Sequence, residues 1–131
     1  MFYYWKPRGS DAAWRTLYRG LKEGTSYDEI PALVQAGTKN LGAYTSVSGG
    51  YRDSNYNILI EWQTLIVTGV ATSAGSHLGT STFYVNGVEV GTADRVSSGA
   101  QIWCFGKSSN SGEYPGFISV AGVLNQKLTT A

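Results

Sequence analysis

A chain of 131 residues with a formal net charge of +1 and 15% charged residues is one domain, large enough for a continuous core. It gives no electrostatic reason to expect nucleic acid or an anionic membrane surface as partner, and no apolar run is long enough for a membrane-spanning helix. Cys104 is the one cysteine, so no internal disulfide supports the fold, and the wealth of Gly, Ser, Thr, Tyr and Trp suits an all-β, extracellular-type domain.

Strand-like segments rich in aromatic and β-branched residues recur between clusters of Gly, Ser, Asn and Asp, the pattern of a sandwich or barrel. In chain order they fall at 2–6, 14–19, 32–35, 41–45, 63–69, 80–85, 88–92, 100–106 and 117–124. The opening Tyr/Trp/Lys run does not read as a secretory signal, which needs a charged n-region and an apolar h-region. Residues 20–30, 47–56, 70–79 and 107–115 are expected to be loops, with at most one helical turn within 21–30. The polar stretch 37–40, between two apolar segments, predicts a hairpin.

The most informative run is 81–92. Asn86-Gly87 is the preferred pair for a type I′ turn, where both central residues take positive φ. With that pair in the turn, Val85 faces Val88, Tyr84 faces Glu89 and Phe83 faces Val90. Phe83, Val85, Val88 and Val90 then line one apolar face. The strand at 117–124 is apolar or small on both faces, as expected of a strand buried on both sides or covered by another chain.

Three stretches carry a resemblance to the concanavalin A-like, laminin-G-type jelly roll. Phe2-Tyr3-Tyr4-Trp5-Lys6-Pro7, followed by Trp14-Arg15-Thr16-Leu17-Tyr18-Arg19-Gly20, looks like that family's opening aromatic strand and its partner. The 81–92 hairpin looks like its aromatic-Val-Asn/Asp-Gly-Val strand pair. Gly116-Phe117-Ile118-Ser119-Val120-Ala121-Gly122-Val123-Leu124-Asn125-Gln126-Lys127-Leu128-Thr129 resembles its closing strand. The sequence departs from the family at Ser119 and Val120, where many relatives are acidic. The family's first strand also has no counterpart before Met1, so the chain resembles a family domain clipped at both ends. The resemblance implies a two-sheet antiparallel β-sandwich of jelly-roll type. It also implies a non-catalytic, lectin-like module, extracellular or surface-exposed, whose partner is a carbohydrate or glycoprotein. Calcium is a common companion in relatives. The alternative is a structural or adhesion domain that meets protein.

Catalysis finds little in the residues. Glycosidases need two converging carboxylates, whereas Glu61 stands by itself and the adjacent pair Asp28-Glu29 is expected in a loop. His77, in a Ser/Gly/Ala stretch, is expected to be exposed, and it has no partners at metal-ligand spacing. The expected ligand site is the segment after Gly49-Gly50, where Tyr51, Arg52, Asp53, Asn55 and Tyr56 combine faces for stacking on sugars with groups that hydrogen-bond hydroxyls. The competing reading is a Gly-led turn in which Asp53 caps its own backbone and Arg52 pairs with it. Asp53, Asn55 and Asn57 alternate as D-x-N-x-N, a loose calcium-loop pattern without the Gly and distal Glu of an EF-hand.

The aromatics Tyr3, Tyr4, Trp5, Trp14, Tyr18, Trp62, Phe83, Trp103, Phe105 and Phe117 are expected to be mainly core, with Trp62 opening a core strand. Tyr4 nevertheless lies on the face opposite Tyr3 and Trp5, so whichever set points outward forms a surface platform. Tyr27, Tyr44 and Tyr114 are further contact candidates. Cys104, between Trp103 and Phe105, is expected to be buried packing. A missing first strand predicts an open sheet edge beside the opening or closing strand, and hence a homo-oligomer that covers it.

Overall fold

The computed structural model describes residues 2–7, 13–21, 28–46, 50–96, 101–105 and 115–124. They form β1 (Phe2–Pro7), β2 (Arg15–Leu21), β3 (Asp28–Val34), β4 (Asn40–Thr45), β5 (Gly50–Asn57), β6 (Gln63–Ala71), β7 (Gly79–Val85), β8 (Val88–Ala93), β9 (Gln101–Phe105) and β10 (Gly116–Gly122). Two five-stranded sheets result, ordered β10-β1-β6-β7-β8 and β5-β4-β3-β2-β9, with each described pairing antiparallel. The all-β, two-sheet expectation holds. Among the described residues no helix is long and apolar enough to cross a membrane.

Period-two alternation decides what fills the space between the sheets. Tyr3 and Trp5 of β1, Leu65 and Val67 of β6, and Phe83 and Val85 of β7 point inward. They share one buried cluster with Leu17 and Tyr18 of β2, Ala32 and Val34 of β3, and Leu41 and Ala43 of β4. Burying a ring such as Phe83 contributes about 1.5–3 kcal/mol. Trp5 also satisfies its indole N–H, which donates to the Pro115 carbonyl at 2.8 Å and ties β1 to the approach of β10.

The Asn-Gly hairpin forms as expected near its tip. Asn86 and Gly87 have φ of 51° and 82°, Val85 faces Val88, and Tyr84 faces Glu89. Beyond that the register departs, because Phe83 lies opposite Gly91 and Val90 becomes the extra residue of a bulge. The cause lies in the other sheet: a Cβ on Gly91 would sit 2.2 Å from the Ser54 carbonyl oxygen of β5, so the bulge sets glycine at this close approach. Phe83 and Val85 are buried and Val90 partly so, whereas Val88, beside the turn on edge strand β8, stays exposed. The second expected hairpin joins β3 to β4. There Gln35 N–H donates to Asn40 O at 2.8 Å, with Gly37 and Lys39 at positive φ.

Four expectations are corrected. Residues 50–57 are strand β5, not loop, because pairing with β4 supplies the order that their polar sequence does not advertise. Asp28 and Glu29 open strand β3 instead of lying in a loop. His77 is buried, not exposed: its Nδ1 lies 3.0 Å from Oε1 of the fully buried Glu29. Trp62, Phe105 and Phe117 are exposed instead of core; Trp62 lies just before β6, whose first residue is Gln63.

The closing strand is not buried on both faces within this chain, since Phe117 and Val120 of β10 are exposed at 67% and 52%. Among the described residues β10 pairs with β1 and stands at the end of its sheet, with a bulge at Ser119. The side chain of Cys104, and Tyr27 and Tyr114 altogether, lie outside the described residues.

Candidate functional site

Strand β5 ends its sheet among the described residues, and Tyr51, Asp53, Ser54 and Asn57 bond to Asn40 or Leu41 of β4. Tyr51 is half-buried. Its hydroxyl donates to Asn40 O at 2.8 Å, and its ring meets Trp14 edge-on at 5.2 Å. The ring also covers Gly42, where a Cβ would come within 2.6 Å of it. Burial first, and then the Asp53 carboxylate, push the Tyr51 hydroxyl well above the ordinary tyrosine range.

Asp53 accepts from Asn40 Nδ2 at 2.7 Å through one oxygen and from its own Asn55 N–H at 2.6 Å through the other. The expected self-capping is therefore present. Arg52 does not pair with Asp53; its Nε lies 3.0 Å from Asp94 beyond β8. Asn55 takes φ of 62° where the register slips between Leu41–Tyr56 and Gly42–Asp53, and Tyr56 packs against the core. Asn57 Nδ2 donates to Thr38 O and, at 3.4 Å, to Asn40 Oδ1.

Asp53 and Asn57 thus both join Asn40, stitching β5 onto β4. Each oxygen of the Asp53 carboxylate accepts from one N–H donor. Among the described residues no group of three His, Cys, Asp or Glu side chains is placed to hold a metal.

A second constellation lies on the outer face of the other sheet. Tyr3 and Trp5 point inward, so Tyr4 points outward, 42% exposed, and stacks on Trp62, 44% exposed, with ring centroids 5.1 Å apart and 26° between planes. Tyr4 lies opposite Val120 of β10 on one side and Thr64 of β6 on the other. Thr64 in turn meets Asn86, whose Oδ1 accepts from Thr64 N at 2.9 Å and whose N–H donates to Thr64 O at 3.0 Å. Val120, Tyr4, Thr64 and Asn86 therefore form one row across three strands and the β7–β8 turn, roughly 14 Å long at three strand spacings.

The row is apolar and aromatic at the β10 end and hydrogen-bonding at the hairpin end, with no Asp, Glu, Lys, Arg or His among its members. Lys6, opposite Phe117, and the exposed Glu61 flank it. Alternation at 2–6 foretells such a platform. The contribution of Trp62 leaves no local signal, because Glu61-Trp62-Gln63 reads equally well as a strand start. Tyr44, the remaining contact candidate, is half-buried on β4 opposite Tyr51. Comparison of the chain with protein-family models, with curated proteins and with solved structures returns no match.

Proposed function

We propose that this chain is a concanavalin A-like jelly-roll module that binds carbohydrate, free or on a glycoprotein, outside the cell and without catalysing a reaction. The observation that carries the reading is the exposed Tyr4–Trp62 stack set in a row with Thr64 and Asn86. Aromatic surface takes the C–H faces of a sugar ring, while the hydroxyl and carboxamide groups beside it address its O–H groups. Tyr4 and Thr64 stand on paired strands, and Trp62 and Asn86 are held against them, which lowers the ordering cost of binding. The jelly-roll reading is supported by the two antiparallel sheets and by β10 returning to pair with β1. The non-catalytic reading draws on the sequence, in which no two carboxylates are spaced to converge, and on the burial of the Glu29–His77 couple.

The test is a glycan array, run with and without calcium, on the wild-type chain and on two double variants. Binding is expected to be lost with Tyr4→Ala/Trp62→Ala, kept with Tyr51→Ala/Asp53→Ala, and unchanged by calcium removal. Loss with the second pair in a folded protein would return the site to β5. Silence across the array overturns the carbohydrate reading. The adhesion alternative is favoured by exposed Phe117 and Val120 on the strand that ends its sheet among the described residues; a silent array together with a dimer in solution would support it.

A further inference from the structure

We propose that Asn86 is a site of intramolecular deamidation that the folded turn holds in check. An Asn followed by Gly is open to attack from the next backbone nitrogen, because Gly places no side chain in the way. The Gly87 nitrogen bonds to Asn86 Cγ, the bond from Cγ to the carboxamide nitrogen breaks, and that nitrogen leaves as ammonia with the Gly87 proton. Water then opens the succinimide at either carbonyl, giving aspartate or isoaspartate. The reaction consumes one water, releases one ammonia and needs no oxidant or cofactor.

Asn86 is exposed at the tip of the hairpin, and Gly87 has open space around it, so nothing shields the pair from solvent. Hydrogen bonding guards it instead. The carboxamide oxygen accepts from Thr64 N at 2.9 Å and lies 3.4 Å from the Thr64 hydroxyl, while Asn86 N–H donates to Thr64 O at 3.0 Å. These bonds fasten the carboxamide to β6. Cγ can swing over the Gly87 nitrogen only when the hairpin end releases β6, so conversion follows the population of the opened state.

The two products act differently on the fold. Aspartate keeps an oxygen for the Thr64 N–H, and Asp-Gly still suits a type I′ turn. Isoaspartate lengthens the backbone of a two-residue turn by one carbon and breaks the register that it sets. Either product places a new negative charge at the polar end of the Tyr4–Thr64 row. The inference is independent of what that row binds.

The test incubates the full chain at mildly alkaline pH, folded and in denaturant, and follows Asn86 by peptide mapping and mass spectrometry. Asn86 is expected to convert in the unfolded chain and to convert at least about tenfold more slowly in the folded one, equivalent to about 1.4 kcal/mol of opening. Val85→Ala, which removes core contacts beside the turn, should speed conversion in the folded chain. If that variant fails to fold, wild-type chain in denaturant below its transition serves the same purpose. Equal rates folded and unfolded would overturn the guarding role. No conversion in the unfolded chain would overturn the site. A rate unmoved by lowered stability would overturn the opening step.

Discussion

Removing the imidazole of His77 tests the least expected contact in the molecule. His77 belongs to the connection between β6 and β7, yet its Nδ1 lies 3.0 Å from Glu29 Oε1 in β3 of the opposite sheet. The same residue accepts from Val96 N–H at 3.1 Å through its carbonyl, which brings the segment after β8 into the tie. Breaking a buried acid–base pair by deleting one partner costs about 3–5 kcal/mol, because the remaining polar group stays buried without its donor. Glu29 has further interactions of its own, which places His77→Leu near the lower figure, about 3 kcal/mol. Against a typical stability of about 5–15 kcal/mol, that is a large share, and for a chain of this size it lowers the melting midpoint by about 10 °C. Urea titration should show a lower midpoint with an unchanged slope. The double change Glu29→Leu/His77→Leu should recover part of the loss, since it leaves no buried carboxylate facing a missing imidazole, although the other partners of Glu29 lose theirs. A histidine in an exposed loop would instead give a change within about 0.5 kcal/mol. That result for His77→Leu would refute the buried tie.

Three further outcomes are expected. Asn86→Pro should destabilise the chain by more than about 1 kcal/mol, since Pro cannot take φ of 51° and has no N–H to donate to Thr64; an unchanged melting midpoint would sink the turn's role. Tyr51 and Tyr18 both hold their hydroxyl protons more tightly folded than unfolded, chiefly through burial. Stability should therefore be insensitive to these groups below about pH 10 and fall as pH rises above it, where the unfolded chain releases the protons first. Tyr51→Phe should flatten that fall, and an identical alkaline limb in the variant would count against it. Strand β10, which ends its sheet among the described residues, should support a homodimer seen by light scattering at high concentration, weakened by the bulge at Ser119; a strict monomer over the whole range would remove the oligomer expectation.

What the sequence made legible was local. The Asn-Gly turn and the alternation around it announced β7 and β8, because both signals lie within a dozen residues. The same alternation at 2–6 separated Tyr4 from Tyr3 and Trp5 but could not say which set faced inward; packing against the second sheet decided that. Strand β5 was hidden because Asp53, Asn55 and Asn57 favour turns in isolation, and their order comes from Asn40 and Gly42 on β4. His77 was misplaced because its partner Glu29 is distant in sequence. Val90 and Gly91 broke the expected register for the same kind of reason, since the Ser54 carbonyl belongs to the other sheet.

The contact of Gly91 with Ser54 gives the two flanks of the molecule unequal standing. At β5 and β8 the sheets approach backbone to backbone, with Arg52 and Asp94 clasped alongside, so this flank behaves like the spine of a book. At the flank of β9 and β10 the sheets meet through side chains, with the Phe105 ring resting near Tyr3 and Tyr18 and with Ile118 and Ala121 of β10 packed against the core. Native-state hydrogen exchange should accordingly find the pages parting from the β10 side, with the amides of β10 exchanging through small openings while those of β7 wait for global unfolding. A substituent at Gly91 would then do more than strain one residue: by forcing the spine apart it would leave the fold free to open from both flanks.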